Sequence, residues 1–153
     1  MANTYTQIHL QFIFAPKFRA SLINEDWETD LYKYITGIVQ TNKHKMLAIN
    51  GMPDHIHVLA GINPSQSISD LLQDIKGHSS KWINDNNLTK KHFEWQSGYG
   101  AFSYTKSHVT QVNNYIRKQK AHHRKRTFLD EYADMLAKFE IEFDERYIFK
   151  EPE

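Results

Sequence analysis

The segment from Asp54 to Leu59 constrains the fold most, because two histidines alternate with bulky apolar residues inside an apolar run. Alternate side chains of a β-strand point to opposite faces, so His55 and His57 share one face while Ile56 and Val58 take the other. Two imidazoles side by side on a rigid strand can hold one divalent metal ion and leave coordination positions open for a substrate. Two ordinary strand histidines would give the same pattern, so the segment alone leaves both interpretations open.

Hydrophobic periodicity predicts the elements around this strand. Apolar residues alternate over residues 4–14, and two later segments carry apolar residues at helical spacing. The predicted order is a strand at 4–14, a helix ending near Asn42, strands at 45–52 and 55–62, a helix from Ser67 or Ser69 to about Asn84, a strand from Gly100 to Thr105, a helix from Val109 to His123 and a last short helix. This β-α-β-β-α-β order predicts an α+β, ferredoxin-like antiparallel sheet with added C-terminal helices.

The length of 153 residues predicts one domain, and the lack of an apolar stretch of membrane-spanning length predicts no membrane partner. The chain contains no cysteine, which is compatible with the cytoplasm, and we expect a cytoplasmic protein. We expect a single domain over 1–153, with a core at 4–131 and an acidic tail at 132–153. No Asp or Glu occurs between Trp95 and Leu129, although that stretch holds seven Lys and Arg residues. It indicates either a local anionic partner, such as a phosphate backbone, or a solvated helix face.

The predicted helix from Val109 to His123 carries a second kind of chemistry. Tyr115 and Gln119 are four residues apart and share a face that differs from the apolar stripe. A tyrosine can attack phosphorus if its phenolate is stabilised, and a metal ion can stabilise the charge that develops on the phosphate. The side-chain carbonyl of Gln119 is a plausible third metal ligand, which would join this helix to the histidine strand. The alternative is a tyrosine that serves only to pack the core.

These segments resemble the single-tyrosine HUH transposases of the insertion-sequence 200/605 kind, together with the transposase-like proteins associated with repetitive extragenic palindromes. The resemblance rests on the histidine pair that follows Met52-Pro53-Asp54 and on the spacing of Tyr115 and Gln119. Three further segments support it, at Ser69–Trp82, Gln96–Ser103 and Tyr115–Lys120 leading to His122 and His123. It extends from the first strand to about Glu131.

The resemblance implies a ferredoxin-like fold and a transposase or site-specific endonuclease. A divalent metal, Mg²⁺ or Mn²⁺, would be held by His55, His57 and Gln119, with Tyr115 as the nucleophile. Such an enzyme cleaves and rejoins single-stranded DNA through a 5′-phosphotyrosine intermediate and recognises DNA hairpins. Family members are typically homodimers, in which the tyrosine helix of one subunit can complete the histidine site of the other. No small-molecule organic cofactor is expected.

Other residues have less specific assignments. Asp54 could orient an imidazole from behind, and His9 could lie beside the pair on a neighbouring strand. The candidates for contact with the DNA backbone are Lys17, Arg19, Lys76, Lys81, Arg117, Lys118, Lys120 and Arg124. Phosphate contact or simple surface exposure is open for His78, His122 and His123, and base stacking or core packing is open for Trp95, Tyr99, Phe102 and Tyr104.

Two other functions are compatible with the residues. A ferredoxin-like sheet can serve as a non-catalytic RNA or single-stranded-DNA binding module, which needs neither a metal nor a nucleophile. The chain could also be a metal-dependent hydrolase of a small phosphodiester in which Tyr115 is structural. Metal-dependent cleavage of single strands distinguishes an enzyme from a binding module, and a trapped protein–DNA adduct excludes the hydrolase.

Overall fold

The computed structural model of the protein describes residues 4–122 and 127–141, apart from the side chains of Arg19 and His122. The strands are β1 at His9–Phe14, β2 at Lys45–Met52, β3 at His55–Gly61 and β4 at Gly100–Tyr104. The helices are α1 at Glu25–Thr41, α2 at Ile68–Asp85, α3 at Lys106–Arg117, α4 at Gln119–His122 and α5 at Phe128–Lys138, with a short 3₁₀ helix at Lys17–Arg19. Within these described ranges, each helix is too short or too polar to cross a membrane.

The strands form one antiparallel sheet in the order β2-β3-β1-β4. β1 lies between β3 and β4, so that Phe12 is opposite Val58 on one side and Ala101 on the other. This is the strand order of a split βαβ arrangement, and the ferredoxin-like prediction is therefore confirmed. β1 begins at His9 rather than near Thr4, because its partner strand β3 ends at Gly61, directly opposite His9.

The main core fills one face of the sheet. Alternation along the strands places Phe12, Phe14, Ile56 and Val58 in this core, as predicted. α1 and α2 cover that face, and α1 contributes one apolar stripe at four-residue spacing, formed by Trp27, Leu31, Ile35 and Val39. Both helices begin at side-chain caps, where the side chain of Asn24 accepts from the Asp26 N–H and that of Ser67 from the Asp70 N–H.

The opposite face of the sheet carries α3, α4 and α5. Ile116 of α3 packs on Ala48 and Leu59 of β2 and β3. A second apolar cluster joins α5 to β1 and β4, and it contains Ile13, Phe102, Phe128, Tyr132 and Leu136. The two histidines of β3 therefore face a layer of C-terminal helices rather than solvent.

The helix predicted from Val109 to His123 is interrupted. α3 ends at Arg117 and α4 begins at Gln119. The side-chain amide of Asn50 on β2 donates to the carbonyl oxygens of Ile116 and Arg117, both at 3.1 Å, and so satisfies carbonyls at the end of α3. This tertiary contact explains why two short helices replace one long one.

The core also extends beyond the boundary predicted at residue 131. α5 runs to Lys138, and its residues Tyr132 and Leu136 are buried. Thr127 caps the start of this helix, because its hydroxyl accepts from the Asp130 N–H. An amphipathic helix therefore occupies the start of the segment predicted as an acidic tail. The rest of the predicted acidic tail, after Ile141, lies outside the described residues.

Gly51 marks a close approach of β2 to β3 near their connecting turn. A Cβ atom on this residue would lie 2.2 Å from the carbonyl oxygen of His55 and 3.0 Å from Ile56 Cα. Because both obstacles are backbone atoms, no side-chain movement can relieve the contact. A glycine is therefore required beside the first histidine.

Candidate metal centre and tyrosine site

His55 and His57 lie side by side on the face of β3 that points away from α1 and α2. Their ring centroids are 5.2 Å apart, and both side chains are fully buried. The His55 ring stacks on Phe128 of α5, with centroids 4.0 Å apart and an interplanar angle of 4°. The shared face follows from strand alternation, as the sequence predicted, and the stack fixes the plane of one imidazole.

A hydrogen bond behind each ring orients it. Asp54 Oδ1 lies 2.7 Å from His55 Nδ1, which is the contact expected for this carboxylate, and Gln11 Oε1 lies 2.7 Å from His57 Nδ1. Since both partners are oxygen acceptors, each Nδ1 carries the donated proton. The amide of Gln11 is itself fixed, because its Nε2 donates to the Tyr104 hydroxyl at 2.8 Å. Burial raises the pKa of Tyr104 to about 12, so this phenol stays neutral.

The Nε2 atoms of the two histidines converge on oxygen atoms. His55 Nε2 lies 3.1 Å from Gln119 Oε1, and His57 Nε2 lies 3.1 Å from Glu131 Oε1. A neutral imidazole that donates through Nδ1 presents a lone pair at Nε2, so acceptors face acceptors across this centre. A shared cation or additional protons must lie between them. Nitrogen and oxygen donors of this kind can hold a divalent ion, and the ligand atoms of His55, His57 and Glu131 all lie within 4.8 Å of one another.

Tyr115 reaches this centre from the last turn of α3. Its hydroxyl donates to Glu131 Oε2, and its ring centroid is 6.3 Å from that of His57. Gln119 Nε2 donates to the same carboxylate oxygen at 3.1 Å. The predicted phenol, amide and imidazoles therefore meet within a single chain, and the carboxylate of Glu131 joins them.

Two residues of the site, Gln11 and Glu131, were not predicted from the sequence. Gln11 is a buried polar residue on the β1 face shared with Ile13, so alternation combined with polarity was an available signal. Glu131 is an acid on the apolar face of an amphipathic helix, between Phe128 and Tyr132, but it stands at the start of an acid-rich stretch. His9, by contrast, does not lie beside the pair, because the strand register places it opposite Gly61, four residues from His57.

Four of the lysines that are candidates for DNA contact bind groups of the protein. Lys17 pairs with Glu94 at 2.9 Å, Lys81 pairs with Asp85 at 2.6 Å, Lys76 donates to the carbonyls of Gln96 and Gly98, and Lys120 donates to Glu28 and to the carbonyl of Gly51. Arg117 and Lys118 are exposed at the end of α3. The Arg19 side chain, Arg124 and His123 lie outside the described part of the chain, as does the side chain of His122.

The predicted aromatic residues divide between packing and surface positions. Trp95 and Phe102 are buried in the two cores, which agrees with the packing interpretation. The Tyr104 hydroxyl accepts a hydrogen bond from Gln11. Tyr104 therefore holds a residue of the site in place, which is a different role from stacking on a DNA base. Tyr99 is exposed, and the Lys76 ammonium lies 5.7 Å from its ring centroid.

Comparison with known proteins identifies the family. Residues 4–119, which are more than half of the chain, match the family described as transposase IS200-like. The ISDra2 transposase TnpA of Deinococcus radiodurans is 24% identical over 118 residues, which are 74% of this chain and 84% of the relative. A crystal structure of a putative transposase from Deinococcus radiodurans has the same fold, with a TM-score of 0.64, 22% identity and coverage of 78% of this chain and 95% of the other.

A second solved structure, a REP-associated tyrosine transposase bound to a REP hairpin, has a TM-score of 0.59 and 16% identity, and the match covers 80% of this chain and 73% of that one. At these identities the two structures establish the fold alone. The family match supplies the assignment, because it extends from the first strand through the tyrosine helix to Gln119. The chain therefore belongs to the IS200-like transposase family.

Proposed function

We propose that the protein cleaves and rejoins single-stranded DNA through a covalent link between Tyr115 and a 5′-phosphate. The observation that carries the proposal is the convergence of the Tyr115 hydroxyl, Gln119 and two imidazoles on one buried centre. Family membership supports a DNA-cleaving transposase. The fold neighbour bound to a REP hairpin supports hairpin DNA as the partner.

The proposed reaction is a reversible transesterification. Tyr115 Oη forms a bond to phosphorus while the bond between phosphorus and the 3′ oxygen breaks. The phenol loses its proton and the departing 3′ oxygen gains one, which leaves a 5′-phosphotyrosine and a free 3′-hydroxyl. Attack by a 3′-hydroxyl reverses the step and releases the tyrosine, so rejoining needs no external energy source.

Different residues of the chain have different roles in the proposed reaction. His55, His57 and Gln119 would hold a divalent ion, Mg²⁺ or Mn²⁺, through Nε2 and Oε1 atoms that already point to one centre. When bound, such an ion would stabilise the negative charge that develops on the phosphate oxygens. Asp54 and Gln11 keep the imidazoles oriented, and the buried setting limits the access of water.

The resemblance also implies a homodimer, and we retain it as part of the proposal. The contacts of Tyr115 with Glu131 of its own chain support a site that one subunit completes by itself. A dimer with exchanged tyrosine helices is the competing arrangement, and the two make different predictions when variants are combined.

Replacement of Tyr115 by Phe tests the proposed nucleophile. We expect Tyr115→Phe to abolish the covalent adduct with hairpin-flanked single-stranded DNA in Mg²⁺ or Mn²⁺, because only the reactive oxygen is removed. Hairpin binding should stay nearly unchanged. Adducts are scored on a denaturing gel, and binding is measured by gel shift or anisotropy.

Tyr34→Phe is the matched control, because Tyr34 stacks on Trp82 on the helical layer across the sheet from the site. It should retain adduct formation. An adduct with the Tyr115→Phe variant would refute the assignment of Tyr115. Hairpin binding by the wild type without any metal-dependent cleavage would favour the binding module, and hydrolysis of small phosphodiesters without an adduct would favour the hydrolase.

A further inference from the structure

The carboxylate of Glu131 has two sides that make different contacts. Oε1 lies 3.1 Å from His57 Nε2 and 3.7 Å from His55 Nε2. Oε2 accepts hydrogen bonds from the Tyr115 hydroxyl and from Gln119 Nε2. The side chain is fully buried. One oxygen therefore faces the candidate metal centre, while the other faces the candidate nucleophile.

The charge balance of the metal centre indicates that Glu131 belongs to the centre and is not merely adjacent to it. Neutral imidazoles and an amide, the donors of His55, His57 and Gln119, bring no negative charge to a divalent ion. Charge buried without an opposite charge is costly, and Mg²⁺ and Mn²⁺ prefer carboxylate oxygens. Asp54 contributes its charge only from behind His55, at Nδ1. Glu131 supplies a carboxylate on the Nε2 side, where the ion would bind.

The position of Glu131 is fixed by the packing of α5. Thr127 caps the helix, and Phe128, one turn before Glu131, stacks on the His55 ring. Tyr132 and Leu136 anchor the following turn in the cluster with Phe102. Because these contacts hold the helix against β1 and β4, the carboxylate needs no rearrangement to reach the centre.

We propose that Glu131 is a metal ligand through Oε1 and simultaneously holds the Tyr115 hydroxyl through Oε2, so that metal binding and the position of the nucleophile are coupled through one side chain. This inference rests on the proposed function, since it concerns the same metal centre and the same tyrosine. It extends the ligand set implied by the resemblance, His55, His57 and Gln119, by one carboxylate from a helix beyond the family match, which ends at residue 119.

The first test measures Mn²⁺ affinity of the full chain without DNA, by calorimetry or by the electron paramagnetic resonance signal of free Mn²⁺. Glu131→Gln keeps the shape of the side chain and removes its charge, and we expect about a tenfold or greater loss of affinity. Asp134→Asn is the matched control, because it removes the same charge from an exposed position of α5, and it should bind like the wild type.

Glu131→Asp keeps the negative charge and moves the carboxylate oxygens away from the centre by the length of one methylene group. This variant replaces Glu131→Gln in the affinity measurement if Glu131→Gln does not fold. It should weaken Mn²⁺ binding by a smaller but measurable factor. Wild-type affinity in whichever of these variants is folded, as judged by circular dichroism and thermal unfolding, would overturn the proposed ligand.

The second test concerns the coupling. Addition of Mn²⁺ to the wild type should perturb the ultraviolet difference spectrum of tyrosine, because the ion withdraws electron density from the carboxylate that binds the phenol. The signal should disappear in Tyr115→Phe and in Glu131→Gln and persist in Tyr34→Phe. A wild-type signal that survives Glu131→Gln would refute the coupling. Adducts are scored separately, so Mn²⁺ binding without adduct formation would contradict the proposed function and leave the ligand set standing.

Discussion

Two hydrogen bonds determine which nitrogen each histidine presents to the centre. Asp54 and Gln11 each occupy an Nδ1, so both Nε2 atoms are directed to the side where Gln119 and Glu131 lie. An imidazole without such a partner could rotate or change tautomer, and its lone pair would then point elsewhere. The centre is therefore preorganised by residues that do not themselves face it.

Lys76 offers a prediction about pH at the residue scale. Burial lowers the pKa of this ammonium from its ordinary value of 10.5 to about 8, while its Nζ donates to the carbonyls of Gln96 and Gly98. Between these two values the unfolded chain binds more protons at Lys76 than the folded one, so the stability that this residue contributes rises with pH across that window. The free energy of unfolding of the wild type relative to Lys76→Met should therefore increase between about pH 7.5 and pH 10.

Urea unfolding at several pH values checks this expectation. Lys81→Met is the control, because its hydrogen bond to Asp85 raises the pKa of Lys81 instead of lowering it, and the corresponding difference should not increase. A difference between wild type and Lys76→Met that stays constant or falls over this range would show that burial does not control the charge of Lys76.

At the scale of elements, features that depend on neighbouring residues could be predicted from the sequence, whereas features that depend on tertiary contacts could not. The histidine strand and the capped helices follow from periodicity and cap residues, which are properties of neighbouring positions. The interruption at Lys118 is due to the hydrogen bond that Asn50 makes to Ile116, 66 residues away along the chain. It could therefore not be predicted from the residues around Lys118. Likewise, no local signal identified Glu131 as a site residue, because its role depends on which strands α5 packs against. The sequence placed Glu131 only at the end of the predicted core, next to the predicted acidic tail.

Substitution of Asn50 therefore tests whether its hydrogen bonds determine where α3 ends. Asn50→Ala removes both hydrogen bonds to the carbonyls of Ile116 and Arg117, and we expect a loss of about 1–2 kcal/mol in the free energy of unfolding. Because Gln119 follows that end directly, Mn²⁺ affinity should also decrease. Asn114→Ala, at an exposed position of α3, should change neither property. Unaltered Mn²⁺ affinity in Asn50→Ala would mean that Gln119 is positioned independently of the break.

At the scale of the whole molecule, the tyrosine helix α3 and the following helix α4 are attached to the rest of their own chain at several points. Ile116 packs on Ala48 and Leu59, and the Lys120 ammonium joins Glu28 of α1 to the carbonyl of Gly51. A dimer with exchanged helices would have to replace these contacts with the same contacts between subunits. The intrachain arrangement brings Tyr115 to the histidine centre, so we predict that one subunit can complete a site without exchange.

Co-expression of two inactive variants decides between the two arrangements. Tyr115→Phe keeps the histidine centre and His57→Ala keeps the tyrosine, so a mixed dimer with exchanged helices would contain one complete site. We expect no DNA adduct, because the intrachain site cannot be restored by a partner. Tags of different size identify which chain carries DNA, and wild type co-expressed with His57→Ala should give an adduct on the wild-type chain alone. An adduct on the His57→Ala chain in the mixture of variants would show that its tyrosine works at the partner's histidines, and the intrachain arrangement would then be wrong.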